Sequence, residues 1–260
     1  MSDTTAVNQA YFNNLAPKYD DKFRNTIHRL EVEVRSRAHL LGARPGSRLL
    51  DYACGTGLVS RALGPQIGQC VGIDISEAMV EQYNARTKRD GLASVQCVAY
   101  VGNLVSTDES CQTAFSSPEF FNFDHAGVGL GFHHMDDCAL AAKRLAQRLR
   151  PGGVFFVVDF AAQETASEQD LLPSSSGVRH QGFMEQEMQH MFEGAGAGFN
   201  FAFHVLDEDV TFEHAHGEGK HMYRRVFIAR GEKKRNNRDR LLIATGGSGD
   251  FERFYRYDDP

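Results

Sequence analysis

The stretch Arg48-Leu49-Leu50-Asp51-Tyr52-Ala53-Cys54-Gly55-Thr56-Gly57-Leu58-Val59-Ser60 limits what this chain can fold into more than any other. An apolar pair, Leu49 and Leu50, leads to an acid, then to two glycines one residue apart. An apolar–polar pattern able to start a helix follows. Such an order reads as a buried strand over 48–52, a tight turn, and a helix over about 58–63. Glycine belongs in the turn because the backbone must take unusual dihedrals and let a ligand approach with no Cβ between them.

A dinucleotide-binding turn wants a third glycine and a pyrophosphate at the helix N-terminus. Here the third position is Ser60, and Asp51 repels a pyrophosphate. A ligand carrying an ammonium and a sulfonium tolerates that acid far better. The next apolar run, 70–74, ends in Asp74, about 20 residues beyond the turn, the spacing at which a carboxylate reaches ribose hydroxyls. The competing reading makes Asp74 the N-cap of a helix running from Ser76 to about Arg89. A third strand is predicted over 95–101.

Asp51-Tyr52-Ala53-Cys54-Gly55-Thr56-Gly57 resembles motif I of the class I S-adenosylmethionine-dependent methyltransferases, which often read Asp-x-Ala/Gly-Cys-Gly-Thr-Gly. Ile73-Asp74-Ile75-Ser76, with Met79 after it, is similar to the next segment of that family. So is Leu149-Arg150-Pro151-Gly152-Gly153 before an apolar strand at 154–160. The resemblance covers about residues 10–230 and is nearest to the ubiquinone/menaquinone C-methyltransferases of the small-molecule branch.

The resemblance implies an α/β fold: a Rossmann-like, seven-stranded, mostly parallel sheet with helices on both faces and its last strand antiparallel. It implies S-adenosyl-L-methionine as cofactor, held by Asp51, Ala53, Gly55, Gly57, Asp74, Ile75, Met79, Asn103, Leu104, Gly127 and Tyr19. Asn103 stands where the family usually has an acid, and its amide oxygen can still accept from the adenine amino group. Residues 126–137, at the tip of a fourth strand, would floor the methyl-transfer site. The segment Tyr11–Asp20 would fold over cofactor and substrate; packing on the sheet edge is the alternative, and residues 1–7 read as loose. Two histidines at the predicted site, His133 and His134, are candidate bases if the acceptor must lose a proton, with His180 a third. Shaping the loop is the competing role.

Further helices are expected over 27–41, ending at Gly42, over 137–149 with Lys143, Arg144 and Arg148 on the solvent face, and over 184–193. Strands are expected over 199–206 and 223–230. The chain divides into an N-terminal helical cap (1–42), a cofactor-binding domain (43–231, with an insertion at about 161–182) and a basic C-terminal tail (232–260).

A formal net charge of -6 disfavours a nucleic-acid partner and leaves a small-molecule acceptor. Five scattered cysteines without a Cys-x-x-Cys suggest buried thiols in a reducing compartment, hence a cytoplasmic protein. No apolar run approaches the roughly 20 residues of a membrane span. His214-Ala215-His216 with His221 is a weak metal pattern, and no metal is expected. Three functions stand: methyl transfer to a small organic acceptor, a methyltransferase-like binding protein without turnover, and a nucleotide-binding oxidoreductase.

Overall fold

The computed structural model describes residues 3–92, 96–106, 108–163, 177–213 and 219–235. Two helices, α1 (Asp3–Lys22) and α2 (Arg24–Ser36), precede an alternation of strands and helices. This runs β1 (Arg48–Tyr52), α3 (Leu58–Leu63), β2 (Gln69–Asp74), α4 (Glu77–Arg89), β3 (Cys97–Val101), α5 (Glu109–Thr113) and β4 (Phe123–Gly129). After it come α6 (Cys138–Arg148), β5 (Leu149–Phe160), α7 (Glu185–Gly194), β6 (Phe199–Val205), β7 (Val210–Phe212), β8 (Met222–Arg224) and β9 (Val226–Glu232).

Seven strands form one sheet in the order β3-β2-β1-β4-β5-β9-β6. The first five pair in parallel, and β9 lies antiparallel between β5 and β6. This is the expected seven-stranded, mostly parallel sheet with an antiparallel last strand. Alternation along the strands sends side chains to two cores. Leu50, Tyr52, Val71 and Ile73 pack on the side of α6 and α7, while Leu49, Cys70, Cys97 and Ala99 pack on the side of α2, α3 and α4. Both faces are buried, so the parallel strands read as continuous apolar runs in the sequence. From β1 the chain winds outward one way through β2 and β3, and later returns to β1's other side as β4. That reversal opens a crevice beyond the carboxyl ends of β1 and β4, where ligands bind in open α/β sheets.

Several expectations need correction. Residues 3–7 belong to α1, whose polar side chains make specific bonds described below. The α-helix expected over 27–41 ends at Ser36, and tighter turns carry the chain to Gly42 through i→i+3 bonds such as Leu40 N to Arg37 O and Gly42 N to His39 O. Arg148 is buried, not solvated: its Nη1 donates to the carbonyls of Phe115 and Phe120. The strand expected over 223–230 is interrupted at Arg225, because the main sheet stops at Val226 opposite Phe160. Beyond it, β8 pairs instead with β7 as a separate hairpin. Most of the expected insertion (164–176), His214 and His216, and residues 236–260 of the tail lie outside the described residues.

Candidate cofactor and acceptor cavity

The turn after β1 takes the strained path its glycines permit. Ala53 and Gly55 both sit at φ 52 and Gly57 at φ 98. Gly57 caps α3, and a Cβ there would lie 2.9 Å from the Tyr83 ring. At Gly55 a Cβ would meet nothing within 4 Å, because that position faces open space. Asp74, at the end of β2, holds the turn from the far side: its Oδ2 accepts from Gly55 N at 2.8 Å and its Oδ1 from Ser76 N at 2.9 Å. Ser76, not Asp74, is the side-chain cap of α4, accepting from Met79 N. Asp74 also lines the crevice, so the acceptor capacity left by these donors lies within reach of a ligand there. Burial pushes this carboxyl up, while the backbone donors of Ser76, Gly55 and Ile75 oppose the shift.

The crevice is a cavity of about 620 Å³, the size of a small-molecule site. Ala53, Gly55, Asp74, Ile75, Met79, Asn103 and Tyr19 line it together, as do Gly129, Gly131 and His134. Burial pushes the Tyr19 hydroxyl up to about 12, so it stays a neutral donor.

Four predicted residues lie elsewhere. Asp51 shares the face of Leu49, and its Oδ2 accepts from Ser60 N at 3.0 Å and Ser60 Oγ at 2.7 Å, behind the turn. Gly57 backs onto Tyr83, and Leu104 is buried in the α6 core. Gly127 makes room for Phe156, whose ring would be 2.2 Å from an added Cβ. The Gly127→Ala variant should therefore lose about 1–3 kcal/mol of stability. Its folded fraction should keep its ligand affinity, with urea unfolding and calorimetry checking the two halves.

The centroids of the two histidine rings lie 4.1 Å apart, but only one ring lines the cavity. His133 turns inward, its Nδ1 2.8 Å from Asp159 Oδ1, while Asp159 Oδ2 accepts from the backbone of Phe132 and His133. It shapes the loop and does not line the cavity. His134 does, with its ring edge-on to Phe12 at 5.1 Å. His180 lies against Phe183, and its backbone N–H donates to His133 O. Asn103 lines the cavity, and its Oδ1 accepts from Tyr52 Oη at 3.1 Å and Val105 N at 3.0 Å. In this arrangement the amide oxygen is engaged by the protein and Nδ2 is the group left to donate.

The helical arm roofs the cavity. Asn8 Nδ2 donates to His134 O, Gln9 Nε2 to Ile75 O, and Asn13 Oδ1 accepts from Ser76 Oγ and Ala78 N at the start of α4. Asp20 accepts from Thr56 Oγ1 at 2.6 Å and pairs with Arg86. Phe23, Ile27 and Leu30 from the arm, with Phe212 of the hairpin, give the cavity an apolar wall. Thr26 Oγ1 ties the two by donating to Thr211 O at 2.7 Å. Arg61, on α3, also lines the cavity; its Nη2 is buried with no hydrogen-bond partner, while its Nε lies 2.5 Å from Glu31 Oε1. Sequence reasoning missed these wall residues and Arg61.

A methyltransferase-domain family model matches residues 26–200. The chain belongs to that methyltransferase family. Over 156 residues it is 33% identical to an uncharacterized methyltransferase of Schizosaccharomyces pombe, covering 58% of this chain and 54% of that protein. Over 149 residues it is 32% identical to the demethylmenaquinone methyltransferase of Staphylococcus aureus, covering 55% and 56%. This methyltransferase-family chain thus spans about half the length of the curated relatives it matches. The solved structure of YcgJ from Bacillus subtilis superposes with a TM-score of 0.60 at 18% identity, over 80% of this chain and 100% of that one. This last likeness is one of fold.

Proposed function

We propose that the protein binds S-adenosyl-L-methionine in this cavity and transfers its methyl group to a small organic acceptor with an apolar body. The observation that carries the reading is Asp74, a buried carboxylate fixed by Gly55 N and Ser76 N beside a turn with no side chain at Gly55.

The residues present fit such a cofactor. The Asp74 carboxylate, which lines the cavity, suits the ribose hydroxyls. The Asn103 Nδ2 donor suits a ring nitrogen of adenine, with Ile75 and Met79 against its faces. The unpartnered Arg61 Nη2 suits a carboxylate. Bound there, the cofactor supplies an electrophilic methyl on a sulfonium.

What the chain adds is position. Holding acceptor and methyl about 3 Å apart and in line is worth roughly 7–11 kcal/mol of barrier. The floor of Gly129 and Gly131 and the wall of Phe23, Ile27 and Phe212 define that alignment and exclude water. The role of proton acceptor falls to His134, which lines the cavity, and not to His133, whose Nδ1 is engaged by Asp159.

Calorimetric titration with S-adenosylhomocysteine and with NAD tests the reading: binding of the first alone is expected, and binding of NAD alone rejects it. Labelled S-adenosylmethionine incubated with fractionated small metabolites should then yield labelled product in the apolar fraction. Binding without any labelled product would make the protein a non-catalytic relative. The Arg61→Gln variant should bind S-adenosylhomocysteine about 10- to 100-fold more weakly, the loss of a charge-assisted bond of roughly 1.5–3 kcal/mol. Its affinity for methylthioadenosine, which has no carboxylate, should not change.

A further inference from the structure

Behind the glycine turn, on the α3–α4 side of the sheet, lies a second cavity of about 440 Å³. Thr56 and Arg61 line it and the first cavity alike. Pro65 and Ile67, beyond α3, give it apolar walls, and Asp90, which is exposed, adds a carboxylate. Close packing fixes most interior side chains by contact on every side. A guanidinium between two open spaces lacks that support, so a bond has to fix it.

Glu31 supplies the bond. It stands on α2, and its Oε1 lies 2.5 Å from Arg61 Nε, with both side chains largely buried. Glu31 lines the second cavity and not the first. A second acid, Asp20 of α1, has its Oδ2 3.8 Å from Arg61 Nη1, but it already holds Thr56 Oγ1 and Arg86. Burial lowers Arg61, and the Glu31 charge is the first influence opposing that shift. The guanidinium stays charged in either case. With Nε against Glu31 and Nη1 near Asp20, Nη2 is left buried and without a hydrogen-bond partner.

We propose that Glu31 is the positioning residue for the group that reads the cofactor's carboxylate: it holds Arg61 by Nε and keeps the guanidinium from swinging into the second cavity. This rests on the reading of the first cavity as an S-adenosylmethionine site with Arg61 at the carboxylate. Because Glu31 does not line that cavity, its effect on a ligand there runs through Arg61. Without Glu31, the space behind the turn and the charge of Asp90 are both open to the guanidinium. The cost then falls on the amino-acid end of the cofactor and spares its nucleoside.

Calorimetry with two ligands tests this: S-adenosylhomocysteine, and its decarboxylated analogue, which keeps the ammonium and lacks the carboxylate. Glu31→Ala should bind S-adenosylhomocysteine about 10-fold more weakly, the lower end of the loss of a charge-assisted bond, and the analogue within about twofold of the parent. Glu31→Gln keeps an oxygen for Nε and should recover most of the lost affinity. Should the alanine variant fail to fold, Glu31→Met, of similar length but without an oxygen, takes its place. Equal loss for both ligands, no loss with either oxygen-free variant, or a glutamine variant as weak as they are overturns the proposal and leaves the cavity reading standing. A parent that binds neither ligand overturns both.

Discussion

Replacing Asp74 with alanine should reduce affinity for S-adenosylhomocysteine by at least about 100-fold, and by as much as about 10,000-fold. The carboxylate offers the nucleoside two charge-assisted acceptors, each worth roughly 1.5–3 kcal/mol when buried. At 1.4 kcal/mol per decade this gives the range stated. The loss has a second source in the protein itself. Without Asp74, Gly55 N and Ser76 N lose their partner, and the turn at φ 52 loses the bond that fixes it. Asp74→Asn should fall between, since one amide oxygen can still accept and the charge is gone. Calorimetry on all three proteins, with circular dichroism to confirm folding, checks the order. An alanine variant within tenfold of the parent would remove Asp74 from the site.

The second large effect is on stability and comes from the other acid. Burial raises the Asp51 carboxyl from 3.8 to about 7, outweighing the donors of Ser60 and the charge of Arg61. An unfolded Asp51 releases its proton near pH 4; the folded one holds it to about pH 7. Between these values the folded state binds more protons than the unfolded state, so stability falls as pH rises through that window. Below pH 4 both states are protonated and the cost vanishes. Three units at about 1.4 kcal/mol each make the total on the order of 4 kcal/mol by pH 8. Asp51→Asn keeps an acceptor for Ser60 and removes the ionisation, so its urea midpoint should hold up across pH 4–8 while the parent's declines. Parallel curves for the two proteins would refute this account.

These two acids show what the sequence made legible and what it did not. The strand over 48–52, the helix over 58–63 and the sheet class were readable because both faces of a parallel strand are apolar and the glycine turn has few alternatives. Asp51 and Asp74 looked equivalent, each an acid at a strand tip. They are not, because Asp51 is followed by Tyr52 within the strand and faces Ser60, whereas Asp74 ends its strand and turns to the backbone of the next loop. Nothing in the sequence assigned partners to the polar residues Asn8, Gln9 and Asn13. In the fold their polarity serves bonds to residues 60 or more positions away, which no local pattern reveals. Phe23 and Phe212 line one cavity from distant parts of the chain, and a single strand was expected across the break at Arg225.

The roof helix carries a consequence for timing. Asn8, Gln9, Asn13 and Asp20 fasten α1 at four points along its length, to the loop after β4, to both sides of the α4 start and to the glycine turn. A nucleoside bound beneath it, as proposed above, would lie under all four of these bonds. On the proposed function, release of the spent cofactor is therefore expected to wait on the loosening of α1, and a variant that removes these fastenings should release S-adenosylhomocysteine faster.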